Sequence, residues 1–108
     1  MSKLTYLDLS HNKIKDITDL ADITSRLVST MDLSYNQIDY VPPEISRFYY
    51  ELYFLYLNDN KLNYIPTDIF RLQYLKKVDL QRNPFPADEI NAMTTRFRST
   101  IPNCVVLI

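Results

Sequence analysis

Residues 52–66 read LYFLYLNDNKLNYIP, and in this stretch leucine alternates with other residues before an asparagine, Asn60. Leu55 and Leu57 are two positions apart, which places both side chains on one face of a β-strand. The apolar pattern resumes after the asparagine, at Leu62. The segment therefore predicts a short strand with one apolar face, then a turn, then a second apolar stretch.

The same pattern occurs four times along the chain. Its asparagines, Asn12, Asn36, Asn60 and Asn83, are spaced 24, 24 and 23 residues apart. Apolar residues precede each of them by eight, five and three positions: Leu4, Leu7 and Leu9; Val28, Met31 and Leu33; Leu52, Leu55 and Leu57; Leu75, Val78 and Leu80. A strand this short cannot bury its apolar face alone, whereas stacked copies share one core. The repeat predicts parallel strands at 4–9, 28–33, 52–57 and 75–80, because each unit returns by a crossover.

This pattern resembles the leucine-rich-repeat family, whose consensus is LxxLxLxxNxLxxL. The resemblance implies an α/β fold: a right-handed solenoid with short parallel strands on the concave face and 3-10 or helical segments on the convex side. Repeats two and three continue into prolines, at 42–43 and 66, and in this they are similar to intracellular-type and bacterial repeats of 23–24 residues. Repeat one has no proline there and is more similar to the phosphatase-regulator subtype. The resemblance also implies that the asparagine amides turn inward and bond loop backbone.

After Asn83 the pattern changes to a predicted helix over 87–98. Its apolar residues Ile90, Met93 and Phe97 follow helical spacing, and a strand is expected near 105–108. This arrangement resembles the C-terminal cap of bacterial and protist leucine-rich-repeat proteins. We therefore expect a single domain over 1–108, with four repeats at about 4–86 and a C-terminal helical cap at 87–108. Within this cap, Cys104 is expected to act as a small buried hydrophobic residue.

The first repeat has only three residues before Leu4. The sequence therefore predicts an unpaired first strand and an under-covered end of the core, at Leu4, Leu7, Leu9 and Ile14. We expect the chain to be part of something longer or to be covered there by another chain. In isolation it should self-associate through the first repeat, or fray over residues 1–20.

Composition argues against several classes of function. Lys and Arg number 12 against 13 Asp and Glu, which disfavours a nucleic-acid binder. No run approaches the roughly 18 apolar residues of a membrane span. The start lacks a secretory signal, so an intracellular location is the default and the compartment stays unassigned. Glycine is absent, which removes glycine-rich phosphate loops, and nothing in the sequence indicates a cofactor or a metal.

Catalysis is not expected. A catalytic site needs a nucleophile and a base held together. His11 and Cys104 are the single histidine and the single cysteine, and they fall at opposite ends of the predicted solenoid. Two carboxylates, Asp8 and Asp32, share a predicted strand row without a cleft around them. We interpret them as solvated side chains, with a bridged cation as the weaker alternative because two carboxylates make a poor calcium site.

The resemblance implies that partner-facing residues lie at the third, fifth, seventh and eighth places of LxxLxLxxN. The predicted binding residues are Tyr6, Asp8, His11, Thr30, Asp32, Tyr35, Phe54, Tyr56, Asn58, Asp59, Lys77, Asp79 and Arg82. Phe54 and Tyr56 are the expected anchors, since aromatic residues dominate interfaces, although they could instead only cover apolar neighbours.

A second group of aromatic residues lies outside these rows. Tyr40 and Tyr64 hold equivalent positions and are expected to stack on each other. Phe48 is interpreted as core, whereas Tyr49 and Tyr50 are candidates for a second contact surface.

The leading hypothesis for function is a protein–protein interaction module, because that is the activity the family shares. Two alternatives stay open at this point. One is a structural segment that closes the C-terminal end of a larger leucine-rich-repeat array. The other is a recognition or adhesion segment of a bacterial surface protein or effector.

Overall fold

The structure, a computed structural model, describes residues 6–18, 28–48 and 51–108. Within these ranges the chain alternates three-residue strands with turns and short helices. The strands are β1 (Tyr6–Asp8), β2 (Thr30–Asp32), β3 (Phe54–Tyr56), β4 (Lys77–Asp79) and β5 (Val105–Leu107). The helices are α1 (Ile45–Phe48), a 3-10 helix (Thr67–Arg71) and α2 (Ala87–Thr100).

The strands form a parallel sheet in chain order, β1 to β5. Equivalent residues of successive repeats are paired, for example Leu7 with Met31, Met31 with Leu55, and Leu55 with Val78. The predicted parallel strands are confirmed, and each observed strand occupies the middle of its predicted range. Leu4 and its neighbour in the first predicted strand lie outside the described residues. The predicted last strand is confirmed as well, since β5 pairs with β4 in parallel.

The core consists of the apolar positions that define the repeat. In repeats two to four, the residues five and three places before the asparagine are at most 1% exposed: Met31, Leu33, Leu55, Leu57, Val78 and Leu80. In repeat one the equivalent residues, Leu7 and Leu9, are only partly buried, as is Ile14. The under-covered state expected for these three residues is therefore observed.

On the side of the solenoid opposite the sheet, short helices begin after the prolines of repeats two and three. The 3-10 helix begins after Pro66, which is extended, and it buries Ile69 and Phe70 against the core. In repeat two, the amide of Ile45 donates to the carbonyl oxygen of Pro42 at 3.1 Å where α1 begins. Proline fixes its own φ and favours a first helical turn, so these short helices start where the sequence indicates.

Helix α2 packs against the 3-10 helix at one end of the core. Met93 and Phe97 are buried, and the Phe97 ring meets that of Phe70 edge to face, with ring centroids 4.8 Å apart. The helix continues two residues past its predicted end, to Thr100. Its end follows from Pro102, since the residue before a proline, here Ile101, is pushed out of the helical region.

Of the expectations about the second group of aromatic residues, the structure tests the one for Tyr40 and Tyr64. The predicted stack of Tyr40 on Tyr64 is wrong: these two rings make no contact. Tyr40 borders a groove with Pro43 and Arg71, whereas Tyr64 borders a separate groove with residues of α2. Tyr49 and Tyr50 lie outside the described residues.

Candidate functional site

The sheet has one face turned away from the core, which we call the open face. It carries two rows of side chains, one from the first residue of each strand and one from the last. The rows are Tyr6, Thr30, Phe54, Lys77 and Val105, and Asp8, Asp32, Tyr56, Asp79 and Leu107. All of these side chains are exposed or half-buried, while the residue between them in β2, β3 and β4 is buried.

Two aromatic side chains occupy the centre of the open face. Phe54 and Tyr56 are half-buried and flank the fully buried Leu55, which confirms that they are not core residues. The Nζ atom of Lys77 lies 5.7 Å from the centre of the Tyr56 ring, within the range of a cation–π contact. This centre combines apolar area with one positive charge.

Three carboxylates of the open face share one local arrangement. In each, Oδ1 accepts a backbone N–H from the residue two positions later at 3.0 Å: Ser10 for Asp8, Ser34 for Asp32 and Gln81 for Asp79. In the first two, the serine hydroxyl also donates to the same oxygen, at 2.6 Å. The expectation of merely solvated carboxylates is thus refined, because these groups also fix the start of the turn.

Two side chains at the β1 end of the open face, Tyr6 and Asp8, have shifted pKa values. The hydroxyl and amide of Ser10 stabilise the Asp8 carboxylate and lower its pKa below the ordinary value. The pKa of the Tyr6 phenol is raised, first by partial desolvation and then by the negative charges of Asp8 and Asp32. Tyr6 is nevertheless 56% exposed. Its phenol therefore lies at the surface, in the field of two carboxylates.

The turn after each of the first four strands has a left-handed residue at the same place. His11, Tyr35, Asp59 and Arg82 have φ between 56° and 60°. This region costs a residue with a Cβ about 1 kcal/mol, and glycine, which would avoid the cost, is absent from the chain. The first three of these residues each donate their amide to a carbonyl of the next repeat, at 2.9–3.1 Å, which offsets part of the strain. We call these four side chains the rim.

The rim residues pair with each other along the solenoid. The rings of His11 and Tyr35 are stacked, with centroids 4.4 Å apart and planes 8° from parallel. Nε of Arg82 donates to Oδ1 of Asp59 at 2.8 Å, and this bond lowers the pKa of Asp59 and raises that of Arg82. The rim therefore presents one aromatic pair and one neutralised ion pair.

Among the predicted binding residues, Asn58 is the one whose side chain is buried. It is 7% exposed, and its Nδ2 donates to Oδ2 of Asp59 at 2.8 Å. Its side chain folds back along the turn because the carboxylate of the next residue offers a nearby acceptor. Asn58 thus supports the rim and contributes little surface of its own. The other twelve predicted residues all lie on the open face or the rim.

Surface residues that the repeat pattern did not indicate extend the site. Val105 is 54% exposed and continues the first row, because β5 places it opposite Lys77. β5 lacks the asparagine of the other repeats, so its register could not be read from the sequence. Tyr53 and Tyr74 meet edge to face beside the strands, with Lys76 Nζ 5.0 Å from the Tyr53 ring centre. This aromatic pair arises from the tertiary structure and had no periodic signal.

The part of the chain that the structure describes also bears on metal binding, thiol chemistry and membrane insertion. No group of three or more His, Cys, Asp or Glu side chains there could hold a metal ion. Cys104 is partly exposed, not fully buried as expected, and burial raises its pKa to about 11. His11 lies after β1 and Cys104 precedes β5, at the two ends of the sheet. Over the same residues, no helix has both the length and the hydropathy that a bilayer crossing requires.

Comparisons with known proteins agree with this architecture. A family model described as a leucine-rich repeat matches residues 1–17. A leucine-rich-repeat protein of Leptospira interrogans has a similar structure, with 28% sequence identity and a TM-score of 0.81 over 96% of this chain and 25% of that one. An internalin from Listeria monocytogenes shares the fold at 18% identity and a TM-score of 0.74, over 95% of this chain and 27% of that one. No curated protein matches in sequence.

The chain has the α/β solenoid fold of leucine-rich-repeat proteins. It spans about a quarter of the length of the two structures just described. Leucine-rich-repeat proteins are commonly protein-interaction modules and are generally scaffolds without enzymatic activity.

Proposed function

We propose that this protein binds another protein through the open face and the rim. The observation that carries the proposal is the pair Phe54 and Tyr56, which lie half-exposed at the centre of the sheet. When a partner covers aromatic side chains that expose apolar area to water, the free energy of the system falls. Such residues are the usual centres of interfaces. Charged and polar side chains surround the pair, as in the rim of a typical interface.

The area of the open face indicates which further parts of the protein belong to the proposed interface. Five strands about 4.8 Å apart, each presenting about 13 Å of its length, give a strip of about 300 Å². A standard interface covers about 800 Å² per partner. The strip alone is therefore too small, and the proposed interface includes the rim side chains Tyr35, Asp59 and Arg82, or further repeats of a longer chain.

Paired affinity capture tests this function. The chain and its Phe54→Ala variant are used to capture partners from a lysate of the source organism, and captured proteins are identified by mass spectrometry. We expect a partner that the wild type retains and the variant loses by about tenfold or more, since central aromatic residues contribute at least about 2 kcal/mol to binding. Tyr64→Ala is the matched control, because Tyr64 is an exposed aromatic residue away from the open face.

Thermal unfolding must accompany the capture. The Phe54→Ala melting temperature should stay within a few degrees of the wild type, because Phe54 lies outside the core. A partner that both variants retain equally would argue against binding through the open face. Unfolding of Phe54→Ala would show instead that this residue supports the core.

A second candidate function is structural closure of a larger array. It is favoured by helix α2, which buries Met93 and Phe97 over the last repeat, and by β5, which adds a strand beyond the asparagine pattern. If closure is the sole function, partner capture will not depend on Phe54, while Phe97→Ala will destabilise the repeats. The capture experiment therefore separates the two candidates.

A further inference from the structure

Negative charge is concentrated at the end of the open face that β1 and β2 form. Asp8 and Asp32 are paired across these strands, so their carboxylates are neighbours. Within the part of the chain that the structure describes, the sole ion pair is that of Asp59 with Arg82, and neither Asp8 nor Asp32 forms one, although a positive charge on His11 contributes to the lowered pKa of Asp8. Two neighbouring carboxylates without a counter-charge repel each other, which favours a cation from outside the chain.

The hydrogen bonds of these carboxylates leave one oxygen of each available. The bonds from the serine hydroxyls and amides all go to Oδ1, and no bond is formed at Oδ2 of either residue with the described part of the chain. The Oδ1 bonds also hold each carboxylate in place. A cationic side chain arriving from solvent would therefore meet two pre-positioned acceptors, with little further loss of side-chain freedom.

Aromatic surface lies directly beside this acidic pair. The exposed phenol of Tyr6 lies close enough to both carboxylates for their negative charges to contribute to its raised pKa. Phe54 follows Thr30 in the next strand of the same row. From β1 to β3, one row runs from Tyr6 through Thr30 to Phe54, and the other runs from Asp8 through Asp32 to Tyr56. The carboxylates thus have aromatic side chains on both sides, a combination that accommodates the aliphatic stem and the charged head of lysine or arginine.

The β4 end of the open face has a different charge. Lys77 contributes a positive charge over the Tyr56 ring, and Asp79 lies on the same strand. A basic residue of a partner is repelled by Lys77 and attracted by the Asp8–Asp32 pair. The charge distribution therefore gives an occupant a preferred direction across the strands.

We propose that the open face binds a basic, amphipathic segment of a protein partner, with a lysine or arginine over Asp8 and Asp32 and an apolar side chain on Phe54 and Tyr56. This inference rests on the proposed function and adds the chemistry of the partner. A divalent metal is not the favoured occupant, since no group of three or more potential ligands occurs among the described residues. A nucleic acid is disfavoured because its phosphates would meet the acidic pair.

The test uses two synthetic peptides of equal length. One alternates lysine with leucine, and the other alternates glutamate with leucine. Each is titrated into the isotopically labelled chain at low salt, and binding is followed by the chemical shifts of backbone amides. We expect the lysine peptide to shift the amides of β1, β2 and β3, and to bind at least about tenfold more tightly than the glutamate peptide.

Variants then locate the charge. Asp8→Asn with Asp32→Asn removes both negative charges but keeps the Oδ1 acceptors for Ser10 and Ser34. We expect this double variant to bind the lysine peptide about tenfold more weakly than the wild type. Asp39→Asn is the matched control, because Asp39 is an exposed carboxylate outside the open face and its loss should change the affinity by less than about twofold.

The salt dependence of the wild type gives a readout that does not require a variant to fold. Affinity for the lysine peptide should fall several-fold as sodium chloride rises, because salt screens exposed charges. Equal affinity of the double variant and the wild type, absence of a salt effect, or tighter binding of the glutamate peptide would each overturn the inference. So would shifts confined to residues outside the open face.

These failures are distinguishable from failure of the proposed function. A captured partner that depends on Phe54 but contacts the open face with an acidic or uncharged segment would leave the proposed function standing and overturn the basic-segment inference. A partner that the wild type and the Phe54→Ala variant retain equally would contradict the proposed function itself.

Discussion

At the scale of the residue, the asparagines show how a polar side chain can be part of the core. Nδ2 of Asn60 donates to the carbonyl oxygens of Leu33 and Leu57 at 3.0 and 3.1 Å, and its Oδ1 accepts the amide of Ile38 at 3.0 Å. Asn36 and Asn83 make the same set of bonds one repeat away. Each amide satisfies backbone groups of two turns that would otherwise be buried without partners.

The first prediction concerns this ladder. Asn60→Ala should lower the free energy of unfolding by about 3 kcal/mol, because it leaves buried backbone groups unsatisfied. Asn12→Ala is the matched control and should cost less than about 1 kcal/mol, since Asn12 is exposed and water can replace its two bonds. Urea denaturation measures both. Equal losses for the two variants would contradict the role assigned to burial.

The second prediction concerns the left-handed rim residues. Arg82→Val should destabilise the chain by about 1–2 kcal/mol more than Arg82→Asn, because β-branched residues tolerate positive φ poorly and asparagine tolerates it well. Both substitutions remove the ion pair with Asp59, so their difference isolates the backbone. Thermal unfolding of the two variants gives the comparison. Equal melting temperatures would show that the turn relaxes to another conformation.

At the scale of the element, α2 stabilises the end of the core through a few large side chains. Phe97 is buried and packs edge to face on Phe70, whose ring also lies 5.2 Å from the guanidinium carbon of Arg96. Ile90, on the same helix, is only partly buried. The helix therefore covers the last repeat mainly through Phe97 and Met93.

The third prediction follows from this packing. Phe97→Ala should cost about 3–4 kcal/mol in stability, because it removes a buried aromatic ring and leaves a cavity against Phe70. The exposed Thr95 on the same helix supplies the control, and Thr95→Ala should change stability by less than about 0.5 kcal/mol. Denaturant unfolding of both variants is the measurement. A small loss for Phe97→Ala would mean that α2 contributes little to the fold.

At the scale of the whole molecule, burial changes along the solenoid. Leu9 and Leu57 occupy the same place in their repeats, yet Leu57 is fully buried and Leu9 is partly exposed. Their backbone amides nevertheless donate equivalent hydrogen bonds. The Leu9 amide donates to the backbone carbonyl oxygen of Asp32 at 2.8 Å, and the Leu57 amide donates to that of Asp79 at 2.9 Å. The two repeats thus differ in the apolar area that they bury and not in the backbone hydrogen bonds of the sheet. Each Å² of apolar area that is buried stabilises the fold by about 25 cal/mol.

The fourth prediction uses this gradient. In native-state hydrogen exchange, the Leu9 amide should exchange at least about tenfold faster than the Leu57 amide, because fewer apolar contacts oppose local opening of the first repeat. The Leu80 amide, bonded to Leu107 at 2.6 Å, should be as protected as Leu57. Light scattering of the same sample tests self-association through the first repeat. Leu9 protection equal to that of Leu57, in a monomer, would contradict the predicted gradient.

The sequence by itself determined the strands, their parallel register and the inward rows of the core. These features depend on the alternation of side chains in a strand, which any single copy such as 52–57 displays, and on a period of 23 or 24 residues, which appears when the four copies are compared. The end of α2 was predictable to within two residues because Pro102 limits it. The eight strand residues of the open face were likewise predictable, since strand register assigns each side chain to a face, whereas the four rim residues were expected from the family resemblance.

Only the tertiary structure decided which surface side chains meet. His11 stacks on Tyr35 and Arg82 pairs with Asp59, whereas Tyr40 and Tyr64, equally well aligned in sequence, border separate grooves and do not stack. Spacing brings equivalent residues within reach, but the side-chain torsions depend on neighbours from other elements, such as α2 beside Tyr64. The burial of Asn58 and the position of Val105 follow the same rule, because one depends on a nearby acceptor and the other on a strand without the repeat asparagine.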